Sequence, residues 1–124
     1  MKIIQTPNAP QAIGPYSQAI ITNNFMFSSG QIGINPSTGQ LEEGIEKQTQ
    51  QVLRNIDALL SAARIPRNYV IKTTIFLADM SAFGTVNKIY ADFFQNHKPV
   101  RSTVEVSSLP KGALIEMEII AKIA

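Results

Sequence analysis

The chain has 124 residues, the length of one domain, and 44% of them are hydrophobic, which is typical of a globular fold. Its 11 basic and 9 acidic residues are scattered along the sequence, so the concentrated basic patch of a nucleic-acid-binding protein is missing. Because the chain has no cysteine, disulfides, thiolate metal ligands and cysteine nucleophiles are excluded.

The N-terminal sequence MKIIQTPNAP lacks the apolar segment of a signal peptide, and no apolar run is long enough to cross a bilayer. We therefore expect a cytoplasmic protein that contacts neither membranes nor nucleic acids. Charged residues make up only 16% of the chain, which favours burial of part of its surface against another subunit.

Turn-forming residues and short apolar runs alternate at the start of the chain. Three prolines and a glycine between residues 7 and 15 predict an extended loop. Two apolar runs follow, Gln18–Thr22 and Phe25–Ser29. The Asn23-Asn24 pair between them predicts a tight β-hairpin, because asparagine tolerates positive φ. Residues 30–40 contain three glycines and a proline and predict a second loop.

Two helices and three strands are predicted for the rest of the chain. Apolar residues repeat at helical spacing over Ile45–Ala63, and Pro66 prevents this helix from continuing. The later elements are a strand over Tyr69–Ala78, a helix over Ser81–Asn96 with Ser81 as its N-cap, and strands over Val100–Val106 and Leu114–Ile123.

The resulting order, β-β-α-β-α-β-β, predicts a single α+β domain over residues 1–124. Its expected architecture is one mixed sheet with both helices packed on one face.

Period-two alternation assigns the residues of the last two strands to the two faces of this sheet. The sets expected under the helices are Val100, Ser102, Val104 and Val106 in one strand, and Ile115, Met117, Ile119, Ala121 and Ile123 in the other. The opposite face then mixes apolar and charged side chains, namely Arg101, Thr103, Glu105, Leu114, Glu116, Glu118, Ile120 and Lys122.

This mixed face has two interpretations: a solvated sheet surface, or a subunit interface that holds a site. Arg101 lies within a β-branched strand, and Glu116 lies between two core residues. Both observations favour the second interpretation.

The sequence lacks the residues that several kinds of catalytic site require. His97 is the only histidine and has no local carboxylate, so we expect a solvated loop residue, no Ser-His-Asp triad and no zinc site. The glycines of SSGQIGINPSTG form neither a dinucleotide fingerprint nor a Walker A loop, so no cofactor is expected. What remains is arginine recognition of an anion and carboxylate-assisted attack of water on an already electrophilic carbon.

Three segments carry a resemblance to a known family: AIGPYSQA at 12–19, SSGQIGINPSTGQL at 28–41 and KPVRSTVEVSSLPKGALIEMEIIA at 98–121. The resemblance also includes TVNKIYADFF at 85–94. The chain resembles the RidA/YjgF family over essentially its whole length. The resemblance implies a chorismate-mutase-like α+β fold and a homotrimer with facing sheets and sites between subunits.

The activity that the resemblance implies is that of a 2-iminobutanoate/2-iminopropanoate deaminase. Such an enzyme hydrolyses reactive 2-imino acids, the tautomers of enamines such as 2-aminoacrylate, to 2-keto acids and ammonia. The implied ligands are therefore small 2-imino and 2-keto acids.

The resemblance also implies roles for individual residues. Arg101 would bind the substrate carboxylate, and Glu116 would position the attacking water. The other positions are implied to border the substrate: Tyr16, Ser29, Gly30, Asn87 and Thr103. Thr103 stands where several members have cysteine, and its implied role belongs mainly to its backbone carbonyl. The segment HKPVR is shorter than in some relatives, which leaves the loop shape around residues 95–100 open.

Without the resemblance, the same residues have structural interpretations. Arg101 would pair with Glu105 or Glu118, and Tyr16 would pack over the sheet edge. The Ser29-Gly30 pair would end a hairpin, and Asn87 would be a solvated helix residue.

Two other functions also stay open at this point. One is a regulatory module that binds 2-keto acids without catalysis. The other is a translation inhibitor that acts on RNA, which ranks last because the chain lacks a basic patch and a histidine pair.

Overall fold

A mixed β-sheet carries two α-helices on one of its faces, and the structure, a computed structural model, describes residues 1–123. The strands are β1 (Lys2–Ile4), β2 (Ala19–Thr22), β3 (Phe25–Ser28), β4 (Gln31–Ile32), β5 (Ile34–Asn35), β6 (Gln40–Leu41), β7 (Val70–Leu77), β8 (Val100–Glu105) and β9 (Ile115–Lys122). The sheet order is β1-β2-β3-β9-β7-β8, and β4 also pairs with β9. In the described part of the chain only the β7–β8 pair is parallel, and β5 and β6 form a separate hairpin.

The first helix, α1 (Gly44–Ala62), lies across the centre of the sheet. Val52, Ile56, Leu59 and Leu60 recur at helical spacing and are almost completely buried. Each such side chain contributes about 1.5–3 kcal/mol when it is removed from water. This confirms the amphipathic pattern predicted from the sequence.

The second helix, α2 (Phe83–Phe94), begins two residues later than predicted. Ser81 is not its N-cap. It lies in a 3₁₀ turn over Met80–Ala82, where its backbone N–H donates to the carboxylate of Asp79. The helix ends at Gln95, which has a φ of 56°.

The predicted faces of β9 are confirmed, because Ile115, Met117, Ile119 and Ala121 are buried under the helices. The sheet therefore presents Glu116 and Glu118 on its other face, which no element of the described chain covers.

The predicted faces of β8 are wrong. Arg101 is opposite Thr73 in the parallel β7–β8 ladder, and Thr73 is buried beneath α2. Arg101 and Thr103 consequently lie on the helix side, whereas Val100 and Val104 lie on the open face. The pattern misleads because β8 is an edge strand at the margin of the helix layer, where α2 offers polar and aromatic partners instead of a dry core.

The open face carries a series of apolar side chains in the single chain. Val100 is 65% exposed, and Phe27 and Val104 are each 43% exposed. Phe27 lies beside Ile120, and Val104 lies beside Phe76. An apolar surface of this kind is typical of a face that another molecule covers.

Within residues 1–123, no helix combines the length and the apolar character needed to cross a membrane.

Candidate active site

Glu116 points from β9 into a cavity of about 470 Å³ at one end of the open face. The carboxyl group is half-buried, and this burial raises its pKa above the ordinary value. The carboxylate of Glu118 raises the pKa of Glu116 further. The cavity is lined by Pro10, Gln11, Ile13, Tyr16, Gln18, Ser29, Gly30, Gln31, Ile32, Ile34, Pro110, Lys111 and Glu116.

Gly30 allows the carboxyl group of Glu116 to approach the backbone. A Cβ atom at Gly30 would lie 2.6 Å from Oε2 of Glu116 and 2.7 Å from its Cδ. A side chain at position 30 would therefore displace the carboxylate from its present place.

The loop that forms the cavity wall is held by Gln18. Its Oε1 accepts a hydrogen bond from the backbone N–H of Thr6 at 2.7 Å, and its Nε2 donates to the carbonyl of Pro10 at 2.8 Å. The Ser29 backbone N–H donates to the Gln18 carbonyl at 2.9 Å, and the Ser29 hydroxyl donates to the Ser17 carbonyl. Ser29 therefore borders the cavity with its backbone N–H and its hydroxyl proton both engaged in hydrogen bonds within the chain.

Tyr16 lies at the mouth of the cavity and is 53% exposed. Gly14, with a φ of 129°, begins the turn that presents the ring, and the Tyr16 N–H donates to the Gly14 carbonyl at 2.9 Å. The interpretation of Tyr16 as a residue that lines a pocket agrees with this placement.

Arg101 lies on the opposite side of the sheet from Glu116. Its Nη1 donates to Oδ1 of Asn87 at 2.7 Å, and its guanidinium carbon lies over the ring of Tyr90 at 4.8 Å from the centroid. The Arg101 side chain borders a second cavity of about 380 Å³ between α2 and the segment 95–99.

Arg101 does not form the ion pairs that were considered for it. In the described chain the one ion pair joins Arg67 and Asp57, and the Glu105 carboxylate instead accepts from the Met80 N–H at 2.7 Å. Most of the five N–H donors of the guanidinium are therefore available to an external anion.

Asn87 and Thr103 accompany Arg101. Asn87 is exposed, but it is not merely solvated, because its amide oxygen accepts from Arg101. The Thr103 hydroxyl oxygen is buried and has no hydrogen-bond partner among residues 1–123.

The predicted site residues thus form two groups, which we call the acidic half and the arginine half. The acidic half consists of Tyr16, Ser29, Gly30 and Glu116. The arginine half consists of Asn87, Arg101 and Thr103. The expectation that Arg101 and Glu116 share one face of the sheet is wrong, because the strand registers place these two residues on opposite faces.

His97 is not the solvated loop residue that was expected. It is partly buried, its Nε2 makes a hydrogen bond with the carbonyl of Val70, and its ring meets Phe94 edge-on. His97 therefore attaches the segment after α2 to the start of β7. The described residues contain no group of three or more histidine, cysteine, aspartate or glutamate side chains placed to hold a metal ion.

Lys111 also lines the acidic half and was not predicted there. It has a φ of 57°, which brings the turn before β9 to the edge of the cavity. The Pro110-Lys111-Gly112 turn was visible in the sequence, but nothing there indicated which cavity it borders.

The chain is similar to known proteins over nearly its whole length. The model of the family described as Endoribonuclease L-PSP matches residues 6–123. A RutC family protein of Pyrococcus horikoshii is 54% identical over 97% of this chain and 96% of its own length. A mouse protein named 2-iminobutanoate/2-iminopropanoate deaminase is 47% identical over 97% of this chain and 90% of its own length.

A crystal structure from Yersinia pestis, of the Rid family protein YyfA of unknown function, superimposes with a TM-score of 0.97. It is 56% identical and covers 98% of both chains. With the family model spanning nearly the whole sequence and the same fold in a close relative, the chain belongs to the RidA/YjgF family.

Proposed function

We propose that the protein hydrolyses small 2-imino acids to 2-keto acids and ammonia, at sites that two subunits form together. The observation that carries this proposal is the division of the site. A half-buried carboxylate borders a cavity on one face, and on the other lies a guanidinium that has no acidic partner among the described residues. The deaminase name of the 47% identical mouse protein supports the same chemistry.

Arg101 would bind the carboxylate of the imino acid. The planar guanidinium presents parallel N–H donors that match the two oxygens of a carboxylate. Because Asn87 occupies one N–H of Nη1, the guanidinium is already oriented before the anion arrives. This contact would place C2 of the imino acid opposite Glu116 of the neighbouring subunit.

Glu116 would accept a proton from the water that attacks C2. A carboxyl group with a raised pKa is a stronger base than an ordinary glutamate, and such a base accelerates a reaction about 10²–10⁴-fold. The addition forms a C–O bond and converts the C=N bond to a single bond. The resulting carbinolamine expels ammonia as its hydroxyl becomes the ketone, so that water and imine are converted to keto acid and ammonia.

The open face supports assembly into a homotrimer with facing sheets. Its exposed valine and phenylalanine side chains would be buried in such an assembly. A closed ring of identical subunits would also place the arginine half of each copy beside the acidic half of the next.

Complementation between two inactive variants tests the shared site. The imino acid is generated by an amino-acid oxidase, and its decay is followed with Arg101→Ala, with Glu116→Gln, and with both chains co-expressed. Each variant alone should be inactive. If the two variants assemble at random, about a quarter of the sites should be restored. Each restored site combines an intact Arg101 from a Glu116→Gln chain with an intact Glu116 from an Arg101→Ala chain.

Arg54→Ala is the matched control, because Arg54 is exposed on α1 and belongs to neither half. Full activity of Arg101→Ala or Glu116→Gln would contradict the proposal, as would co-assembly that restores no activity. A wild-type protein that binds 2-keto acids saturably without accelerating imine decay would instead support the regulatory module.

A further inference from the structure

We infer that Tyr90, supported by Phe83 and anchored by Thr73, is a positioning residue that holds Arg101 ready for a carboxylate. The inference rests on the proposed function in one respect: it takes Arg101 as the group that binds the anion.

The helix brings the three partners of Arg101 to one side. Phe83, Asn87 and Tyr90 stand at positions i, i+4 and i+7 of α2, which places them on a single helix face. The guanidinium carbon of Arg101 lies 4.8 Å from the ring centroid of Tyr90 and 5.4 Å from that of Phe83. Two aromatic rings therefore contact one cation.

Tyr90 is held in place from within the core. It is 7% exposed, and its hydroxyl makes a 2.8 Å hydrogen bond with the Thr73 hydroxyl, which is itself completely buried. Thr73 is the register partner of Arg101 in the β7–β8 ladder. The ring and the arginine are thus attached to adjacent points of the same sheet, so the distance between them is fixed by the ladder.

The chemistry of the contact explains why rings are suited to this task. An aromatic face attracts a guanidinium through its quadrupole and uses none of the N–H donors. A carboxylate partner would hold Arg101 equally well, but it would occupy the donors that a substrate needs. The rings therefore orient the arginine while leaving its donors free, and Asn87 takes only one of them.

The test measures binding of 2-oxobutanoate, a stable 2-keto acid, by calorimetry, together with KM and kcat for the imino acid. In Tyr90→Leu, Kd and KM should rise about 3- to 30-fold, the range for loss of a cation–aromatic contact, with kcat changed less than about twofold. Tyr90→Phe retains the ring but loses its hydrogen bond to Thr73, so Kd should rise less than in Tyr90→Leu, by about threefold or less. Phe83→Leu, at the more distant ring, should raise Kd about two- to fivefold.

Phe93→Leu is the matched control, because Phe93 lies on the same helix but its ring faces Arg67 at 3.9 Å. It should leave Kd and KM unchanged.

Arg101→Ala separates this inference from the proposed function. If Arg101→Ala still binds 2-oxobutanoate normally, the proposed role of the arginine is wrong. If Arg101→Ala abolishes binding while a folded Tyr90→Leu binds like the wild type, the positioning role is overturned. Should Tyr90→Leu fail to fold, Phe83→Leu decides instead, and an unchanged Kd there counts against the inference.

Discussion

Among individual residues, Gly30 lies against the carboxyl group of Glu116, and this contact leads to a first prediction. Gly30→Ala places a Cβ atom within 2.6–3.0 Å of three atoms of the Glu116 side chain. Because that side chain can rotate away, unfolding free energy should fall by only about 1 kcal/mol or less. Imine hydrolysis should fall at least about tenfold, since the base leaves its position.

Gly84→Ala is the control for Gly30→Ala. A Cβ atom at Gly84 meets nothing within 4 Å, and the position lies in α2. This variant should keep full activity and gain about 0.5–1 kcal/mol in unfolding free energy, measured by urea denaturation. Full activity of Gly30→Ala would show that the carboxylate need not be where the structure places it.

The raised pKa of Glu116 predicts how activity depends on pH. Glu116, as the proposed base, must be ionised to accept a proton, so kcat/KM should fall as the pH decreases through that pKa. Glu118→Gln removes one cause of the shift, lowers the pKa of Glu116 and should move the acidic limb of the profile to lower pH. Glu46→Gln, an exposed change on α1, should leave the limb in place. A limb that moves upward in Glu118→Gln would contradict this account.

The buried hydroxyl of Thr103 has no hydrogen-bond partner within residues 1–123, and such a group is costly to bury. Thr103→Val removes the hydroxyl and keeps a branched side chain in the strand. Thermal denaturation should show a stability equal to that of the wild type or up to about 2 kcal/mol higher. Activity should stay within a few-fold, because the implied role belongs to the backbone carbonyl. A loss of activity greater than about tenfold would assign a role to the hydroxyl.

At the scale of elements, packing of the β4–β5 segment against α1 depends on Gly33. A Cβ atom there would lie 2.8 Å from Cα and 2.9 Å from the carbonyl oxygen of Gln48, both of which are backbone atoms. The helix cannot yield as a side chain can, so Gly33→Ala should cost about 1–3 kcal/mol of unfolding free energy. A glycine three residues from Gly30 thus controls stability instead of activity, and an unchanged denaturation midpoint for Gly33→Ala would refute this contrast.

The long elements were predictable from the sequence because their side chains repeat with a clear period. Both helices and the strands β7 and β9 appear within a few residues of their predicted bounds. The strands β1, β4, β5 and β6 were missed. Each has only two or three residues, too few to show an alternation, and β1 and β4 owe their existence to partners distant in sequence.

The positions of the candidate site residues in the sheet were predictable only in part, for a related reason. Glu116 was recognisable because its neighbours alternate with the core. The side of the sheet that Arg101 occupies depends on the parallel register with β7, and its contacts depend on how α2 crosses that edge. The local periodicity of the sequence indicates neither the strand register nor the way α2 crosses the sheet edge. The arginine was therefore predicted on the wrong face.

At the scale of the whole molecule, the open face predicts that assembly and activity are lost together. Val104→Asp adds a charge at an exposed position. A single chain tolerates this charge, but an apolar interface does not. Sedimentation velocity should show a smaller species, circular dichroism should show an intact fold, and imine hydrolysis should fall to background. Lys47→Asp, on the exposed side of α1, should preserve both assembly and rate. A folded, active monomer of Val104→Asp would contradict the shared site.

The placement of Arg101 and Glu116 on opposite sides of one sheet has a genetic consequence. In a ring of three, every chain would contribute to two catalytic centres, so one chain lacking both side chains would disable both of the centres it joins, two of the three in the ring. When a doubly defective allele and a normal copy are expressed equally and assemble at random, about a quarter of the centres should therefore stay active. An enzyme whose centres each lie within one polypeptide would keep about half of its centres under the same conditions, because only the defective chains would be inactive.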